Sequence, residues 1–192
     1  MKIVHVTAYA GGGAGISARR LSDALNAIGI DSRLFTLDDL LSTQNFWQKA
    51  RRSVCYRLWR SRYDGHVLTP QTEIFTHPYA LYDVVPFLRE ADVVHLHWVA
   101  RFVDYPTFFR HIGKPIVWTL HDMNPFTGGC HYSEGCEGFL AGCDDCPQLS
   151  DEKKYEATRN FAVKKRLSIS FRPKRLLLRL RSGYIIWQSL RC

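Results

Sequence analysis

The sequence predicts an α/β domain built on a doubly wound parallel sheet. Three observations predict it: β-rich runs at 2–7, 31–37, 91–98 and 116–120, helix-spaced segments between them, and a glycine-rich turn, Ala10–Gly15, joining the first run to the first helix. Parallel neighbours need crossover connections, so strands alternating with helices imply a parallel sheet with helices on both faces. A strand–glycine turn–helix–strand unit is how such sheets open. At 192 residues the chain suits one well-cored domain better than two.

The first element, Lys2–Thr7, is short and β-rich. From Ile16 to Ile28, the residues Leu21, Ala24, Leu25 and Ile28 recur at helical spacing and predict the face that packs on the sheet, with Gly29 as the stop. Asp31–Leu37 follows as the second strand. Residues 44–62 scatter aromatic and aliphatic side chains among arginines and read as a helix with an exposed face. Beyond Thr69-Pro70 the pattern assigns nothing until a helix at Leu81–Arg89, which tolerates Pro86. Ala91–Trp98 is a strand, Tyr105–Ile112 a helix, Gly113-Lys114-Pro115 a turn and Ile116–Leu120 the next strand. Lys153–Leu167 predicts a further helix. There is no internal repeat.

The formal charge of +8 invites a nucleic-acid reading until it is located. Residues 151–192 hold 12 Lys/Arg against 3 Asp/Glu, which leaves the first 150 residues close to neutral. A basic tail on a neutral body makes nucleic acid an unlikely partner. The N-terminal apolar run is too short for a signal peptide, and no stretch approaches the ~18 apolar residues that span a bilayer. A cytoplasmic protein is expected, with the basic apolar tail, including Tyr184, Ile185, Ile186 and Trp187, available to the inner face of a membrane.

Chemistry concentrates at strand ends, where ligands bind in open α/β sheets. Gly12, Gly13, Ala14 and Gly15 open the first helix, so their backbone N–H groups can face an anion; the turn lacks the dinucleotide and P-loop signatures, and a purely structural turn would also account for it. His121 and Asp122 stand where the fourth strand emerges, as site residues or as capping groups. His95, His97 and Trp98 end the neighbouring strand, where they either line a ligand or pack half-buried. Cys130, Cys136, Cys143 and Cys146 follow, spaced C-x5-C-x6-C-x2-C. Four thiols in so short a stretch can enclose a structural zinc; free thiols and paired disulfides are the alternatives, and a reducing compartment disfavours the disulfides.

The runs Gly12-Gly13-Ala14-Gly15-Ile16-Ser17-Ala18-Arg19-Arg20-Leu21, Asp92-Val93-Val94-His95-Leu96-His97-Trp98, residues 117–132 and Gly142-Cys143-Asp144-Asp145-Cys146-Pro147-Gln148-Leu149 together resemble the N-terminal half of family 4 glycosyltransferases of the exopolysaccharide and colanic-acid type. The resemblance covers residues 1–149. It implies a GT-B fold, whose two Rossmann-like domains face one another, this one on the acceptor side and a second gripping a nucleotide-sugar donor. It further implies retaining, metal-independent transfer to a polysaccharide or lipid-linked sugar acceptor, with Gly12–Gly15 near the donor diphosphate, His121 beside the transferred sugar, and Asp122 and His97 in the substrate site. Residues 150–192 are expected to be a connecting helix and an atypical tail, consistent with a truncated or frame-disrupted gene, and the domain alone is expected to be inactive. A separately encoded donor-binding domain would then be a partner. The alternative is a non-catalytic, zinc-stabilised binding domain working with another protein.

Overall fold

In the computed structural model the described residues are 1–68, 84–100, 102–170, 178–180 and 183–185. The core of the sheet is four parallel strands, β1 (Lys2–Thr7), β2 (Asp31–Thr36), β3 (Val93–Leu96) and β4 (Ile116–Thr119), in the order β2-β1-β3-β4. Helices connect them: α1 (Gly12–Ala27), α2 (Leu37–Thr43), α3 (Phe46–Tyr63), α4 (Val85–Leu88) and α5 (Tyr105–His111), with α6 (Lys154–Ser170) after the cysteine loop. A short β5 (Leu178–Leu180) adds parallel to β4, and β6 (Gly183–Ile185) turns back against it. The result is the α/β, Rossmann-like arrangement that alternation predicts. Much of the basic tail expected at a membrane lies outside the described residues, as do residues 81–83 of the helix expected at Leu81–Arg89. No described helix is long and apolar enough to cross a membrane.

Alternation along each strand separates two faces. Val4, Val6, Val94, Leu96 and Ile116 pack with Leu88, Phe102, Phe108 and Ile112, forming the main apolar core on the α4–α5 side. The opposite face carries Ile3, His5, His95 and His97, and α1 lies over its β1–β2 end, where Ser22 Oγ meets Ser32 Oγ at 3.0 Å.

Three expectations change in contact with the structure. Helix α1 begins at Gly12 rather than Ile16, so the glycines form its first turn. Its buried residues are Gly15, Ala18 and Ser22, whereas Leu21 and Ile28 are exposed, so the small residues and not the leucine face inward. At Gly15 the turn that leads into the helix leaves no room for a side chain, since a Cβ there would lie 2.3 Å from the Tyr9 carbonyl oxygen. The second strand ends at Thr36, whose side chain and Asp39 form a reciprocal cap that starts α2, a helix the pattern did not reveal.

Candidate active site

The sheet order places β2 and β3 on opposite sides of β1, so β1 and β3 flank a topological switch point, the usual ligand edge of an open α/β sheet. The glycine turn leaves β1 at this edge. Gly11 is the N-cap of α1 with no side-chain cap bond, and a Cβ on Gly11, Gly12 or Gly13 would meet nothing within 4 Å. Gly12 takes φ +70°, which favours glycine. There is therefore open space beside Gly11, Gly12 and Gly13 at the start of the helix, while Gly15 is buried.

Beside the turn lies a cluster of imidazoles that only strand register reveals. His5 is opposite His95, and period two puts His97 on the same face. His5 Nδ1 lies 3.1 Å from His97 Nε2, and His97 Nδ1 lies 3.1 Å from His121 Nε2. His95 Nε2 bonds Thr119 Oγ1 at 2.8 Å. His121, just past β4, thus reaches β1 through His97, which stands between them just after β3.

Burial lowers the basicity of these rings, pushing His5 down to about 4, His95 to about 3 and His97 to about 2; neighbouring imidazoles add to the last two. All three are neutral at pH 7. Their ring nitrogens converge within 4.8 Å, so the triad could hold a metal ion, although the 3.1 Å contact already pairs two of the rings by hydrogen bonding.

Asp122 is spent on its own loop and on Trp98 just past the end of β3. Its Oδ2 accepts from Trp98 Nε1 and His131 Nδ1, both at 2.6 Å, and Oδ1 accepts from the Asn124 backbone N–H at 3.0 Å. A carboxylate only accepts, so His131 Nδ1 carries the hydrogen. Trp98 stacks between Tyr9, from the glycine-turn side, and His131, from the cysteine loop, at ring separations of 5.6 and 5.3 Å. Asn124 is fixed by Tyr105 Oη and by the Gly129 carbonyl. From α6, Lys164 Nζ donates to the Asn124 carbonyl at 2.5 Å and the Thr127 carbonyl at 3.2 Å, and lies 5.3 Å from the Tyr105 ring centre. Gly128 lets α6 come close, since a Cβ there would stand 2.8 Å from the Ala157 carbonyl oxygen.

The four cysteines anticipated as metal ligands, Cys130, Cys136, Cys143 and Cys146, line one cavity together with Phe139 and Gln148. All are free thiols, which leaves the disulfide alternative without support here. Burial raises Cys130 and Cys146 and pushes Cys143 up to about 11, with neighbouring thiols adding to the effect. The backbone N–H groups of Gly128 and Gly138 point at the sulfurs of Cys143 and Cys136, at 3.2 and 3.3 Å.

His5, Tyr9, Asn124, His131 and Lys164 belong to this assembly but carried no signal on their own. The visible clue was His95-x-His97, two histidines on one strand face, yet their partner on β1 follows from register alone.

Fold and site together define a parallel α/β domain with a ligand edge at its switch point. Over 74 residues, 34% of this chain, it is 38% identical to the Escherichia coli (strain K12) protein named "Putative colanic acid biosynthesis glycosyl transferase WcaC". The match spans 17% of that protein's length. No family model matches the chain, and no solved structure matches it significantly.

Proposed function

We propose that this chain is the acceptor-side domain of a GT-B, family 4 type glycosyltransferase, which moves a sugar from a nucleotide-sugar to a growing polysaccharide or lipid-linked acceptor at the cytoplasmic side of a membrane. The similarity to the colanic acid glycosyl transferase carries this reading. The geometry supports it by assembling, at one sheet edge, a donor-rich helix start and an ordered histidine.

Departure of a nucleoside diphosphate demands fixed hydrogen-bond donors near developing phosphate charge, more than it demands a nucleophilic side chain. Gly12, Gly13 and Ala14 offer such donors from the backbone. His121 is proposed to face the transferred sugar, and the imidazole chain sets its tautomer. His5 Nε2 is buried with no hydrogen-bond partner. If His5 Nδ1–H donates to His97 Nε2, then His97 Nδ1–H donates to His121 Nε2, and the orphan on His5 is only a lone pair. The opposite polarity would strand a buried N–H, the rarer and costlier orphan. The polarity therefore runs outward and leaves His121 Nδ1–H as a donor. His97 is a positioning residue on this reading, and Asp122 positions the loop rather than the substrate.

The cysteine cavity suits a structural zinc. Four protein thiolates would fill a tetrahedral ion and leave no open position, and N–H groups aimed at two sulfurs are the outer contacts such ligands use. The ion would fix the loop that carries His121.

The donor, on this reading, is gripped by a second domain. Fusing residues 1–192 to the donor-binding half of the E. coli relative should give transfer that neither part gives alone. In that fusion His121→Ala should reduce turnover at least tenfold with little change in melting temperature, because a group contacting the reacting sugar acts mainly in the transition state. Equal turnover by fusion and variant, or a loss explained by unfolding, would return His121 to a capping role.

A further inference from the structure

Helix α3 (Phe46–Tyr63) is poorly explained by the fold. It is 18 residues long and well capped by Asn45 and Gln48. Yet four of its apolar residues are exposed: Phe46 is 73% exposed, Trp47 78%, Val54 48% and Leu58 66%. At 3.6 residues per turn, positions 47, 54 and 58 fall within about 40° of one another, so they make a stripe. Helices in water draw most of their stability from packing an apolar face, yet this stripe is left largely exposed, with Trp47 meeting the ring of Phe46 edge-on at 5.4 Å.

Charge says what covers it. The helix holds Lys49, Arg51, Arg52, Arg57, Arg60 and Arg62, and there is no acidic residue between Asp39 and Asp64. An apolar stripe with tryptophan, on a helix that is wholly basic in its charges, matches an interfacial helix on an anionic bilayer: apolar side chains enter the acyl boundary and cations meet the headgroups. A protein partner would more often meet charges of mixed sign, and a nucleic acid has no use for the apolar stripe. The foot of α3 is fastened near the site, since Leu68 N–H donates to the Gln148 carbonyl, His66 Nδ1 lies 2.8 Å from Ser150 Oγ, and Val67 bridges Leu149.

We propose that α3 is a membrane-surface helix that binds anionic lipid through Trp47, Val54, Leu58 and its arginines. This places the domain at the bilayer through α3 itself, and it stands or falls independently of sugar transfer.

The test is co-sedimentation of the full 192-residue chain with vesicles of phosphatidylglycerol and phosphatidylcholine, against vesicles of phosphatidylcholine alone. Binding should require phosphatidylglycerol and weaken with salt, as screened surface charges do. Trp47→Ala/Leu58→Ala and, separately, Arg51→Glu/Arg57→Glu should each lower vesicle affinity at least tenfold, with circular dichroism unchanged from the parent. A variant with Arg172, Lys174, Arg175, Arg179 and Arg181 changed to Gln separates α3 from the basic tail. Loss of binding in the tail variant with retention in both α3 variants overturns the proposal, as does failure of the parent to bind, equal binding to neutral vesicles, or capture by duplex DNA or RNA without vesicle binding.

Discussion

Two groups of metal-competent side chains lie close in this fold, and they solve burial in opposite ways. The imidazoles of His5, His95, His97 and His121 spend their polar atoms on one another and on Thr119, with ring nitrogens 3.1 Å apart. The thiols of Cys130, Cys136, Cys143 and Cys146 surround a cavity, with the backbone N–H groups of Gly128 and Gly138 on two of the sulfurs and the Thr127 side chain at Cys130. Burial favours the neutral form of His5, His95 and His97 in the first group and of Cys130, Cys143 and Cys146 in the second. The first is therefore complete as a hydrogen-bonded chain with one surplus lone pair, and the second is complete only around something else. Convergence of ligand atoms is thus a weaker sign of a metal than convergence around space.

The largest expected effect would break or secure that contrast. Purified protein should carry about one zinc per chain, and Cys143→Ser should abolish it and lower the melting temperature more than any single change among the imidazoles, since a structural metal's binding energy is folding energy. Metal analysis and thermal denaturation of both proteins decide it. Zinc retained in full by Cys143→Ser would move the ion to His5, His95 and His97, and the comparison would be reversed.

How far the sequence leads differs between the two groups for a physical reason. The cysteines are neighbours along the chain, so their spacing alone announces a cluster, and the fold does bring all four to one cavity. The histidines come from β1, from β3 and the residue just after it, and from just past β4. That His95 and His97 share a face follows from period two, but His5 joins them through register, a property of two strands together. Lys164 is further removed, reaching the Asn124 carbonyl from 40 residues downstream. The same limit explains α1. Its apolar residues mark a face, but the face that packs is the one carrying the small residues Gly15, Ala18 and Ser22, and at Gly15 the preceding turn leaves no space for any side chain. Alternation of strands and helices survives because each element encodes its own period. Tail residues 171–177 and 186–192 are outside the described structure and add nothing to either side.

The next effect concerns the middle of the imidazole chain. His97→Ala removes the partner of both His5 and His121 and leaves buried polar atoms unpaired, a loss of about 1–3 kcal/mol in chemical denaturation. His97→Gln keeps one bond at a time and should lie between. Nitrogen NMR should at the same time show His121 leaving the single Nδ1–H tautomer in both variants. An unchanged His121 tautomer would mean that the chain does not set it, and that the cluster is packing alone.

The smallest effect is a slope, and its sign is fixed by burial. Unfolded histidines take up protons near 6.5, whereas the fold holds His5 at about 4, His95 at about 3 and His97 at about 2. Between these limits the unfolded chain binds more protons than the native one, so acid favours unfolding. Stability from this cluster is whole above pH 6.5 and declines as pH falls toward 4 and below. Carboxylates elsewhere contribute to any acid transition, so the informative quantity is the difference between parent and His97→Gln. Removing one group should make the fall shallower by at most about 1.4 kcal/mol per pH unit in that window. Denaturant titrations at pH 7, 6, 5 and 4.5 measure it, each midpoint compared at constant m-value. Parallel curves for parent and variant would show that His97 is already protonated, or already wet, in the native protein, and the self-sufficient imidazole chain would lose its basis.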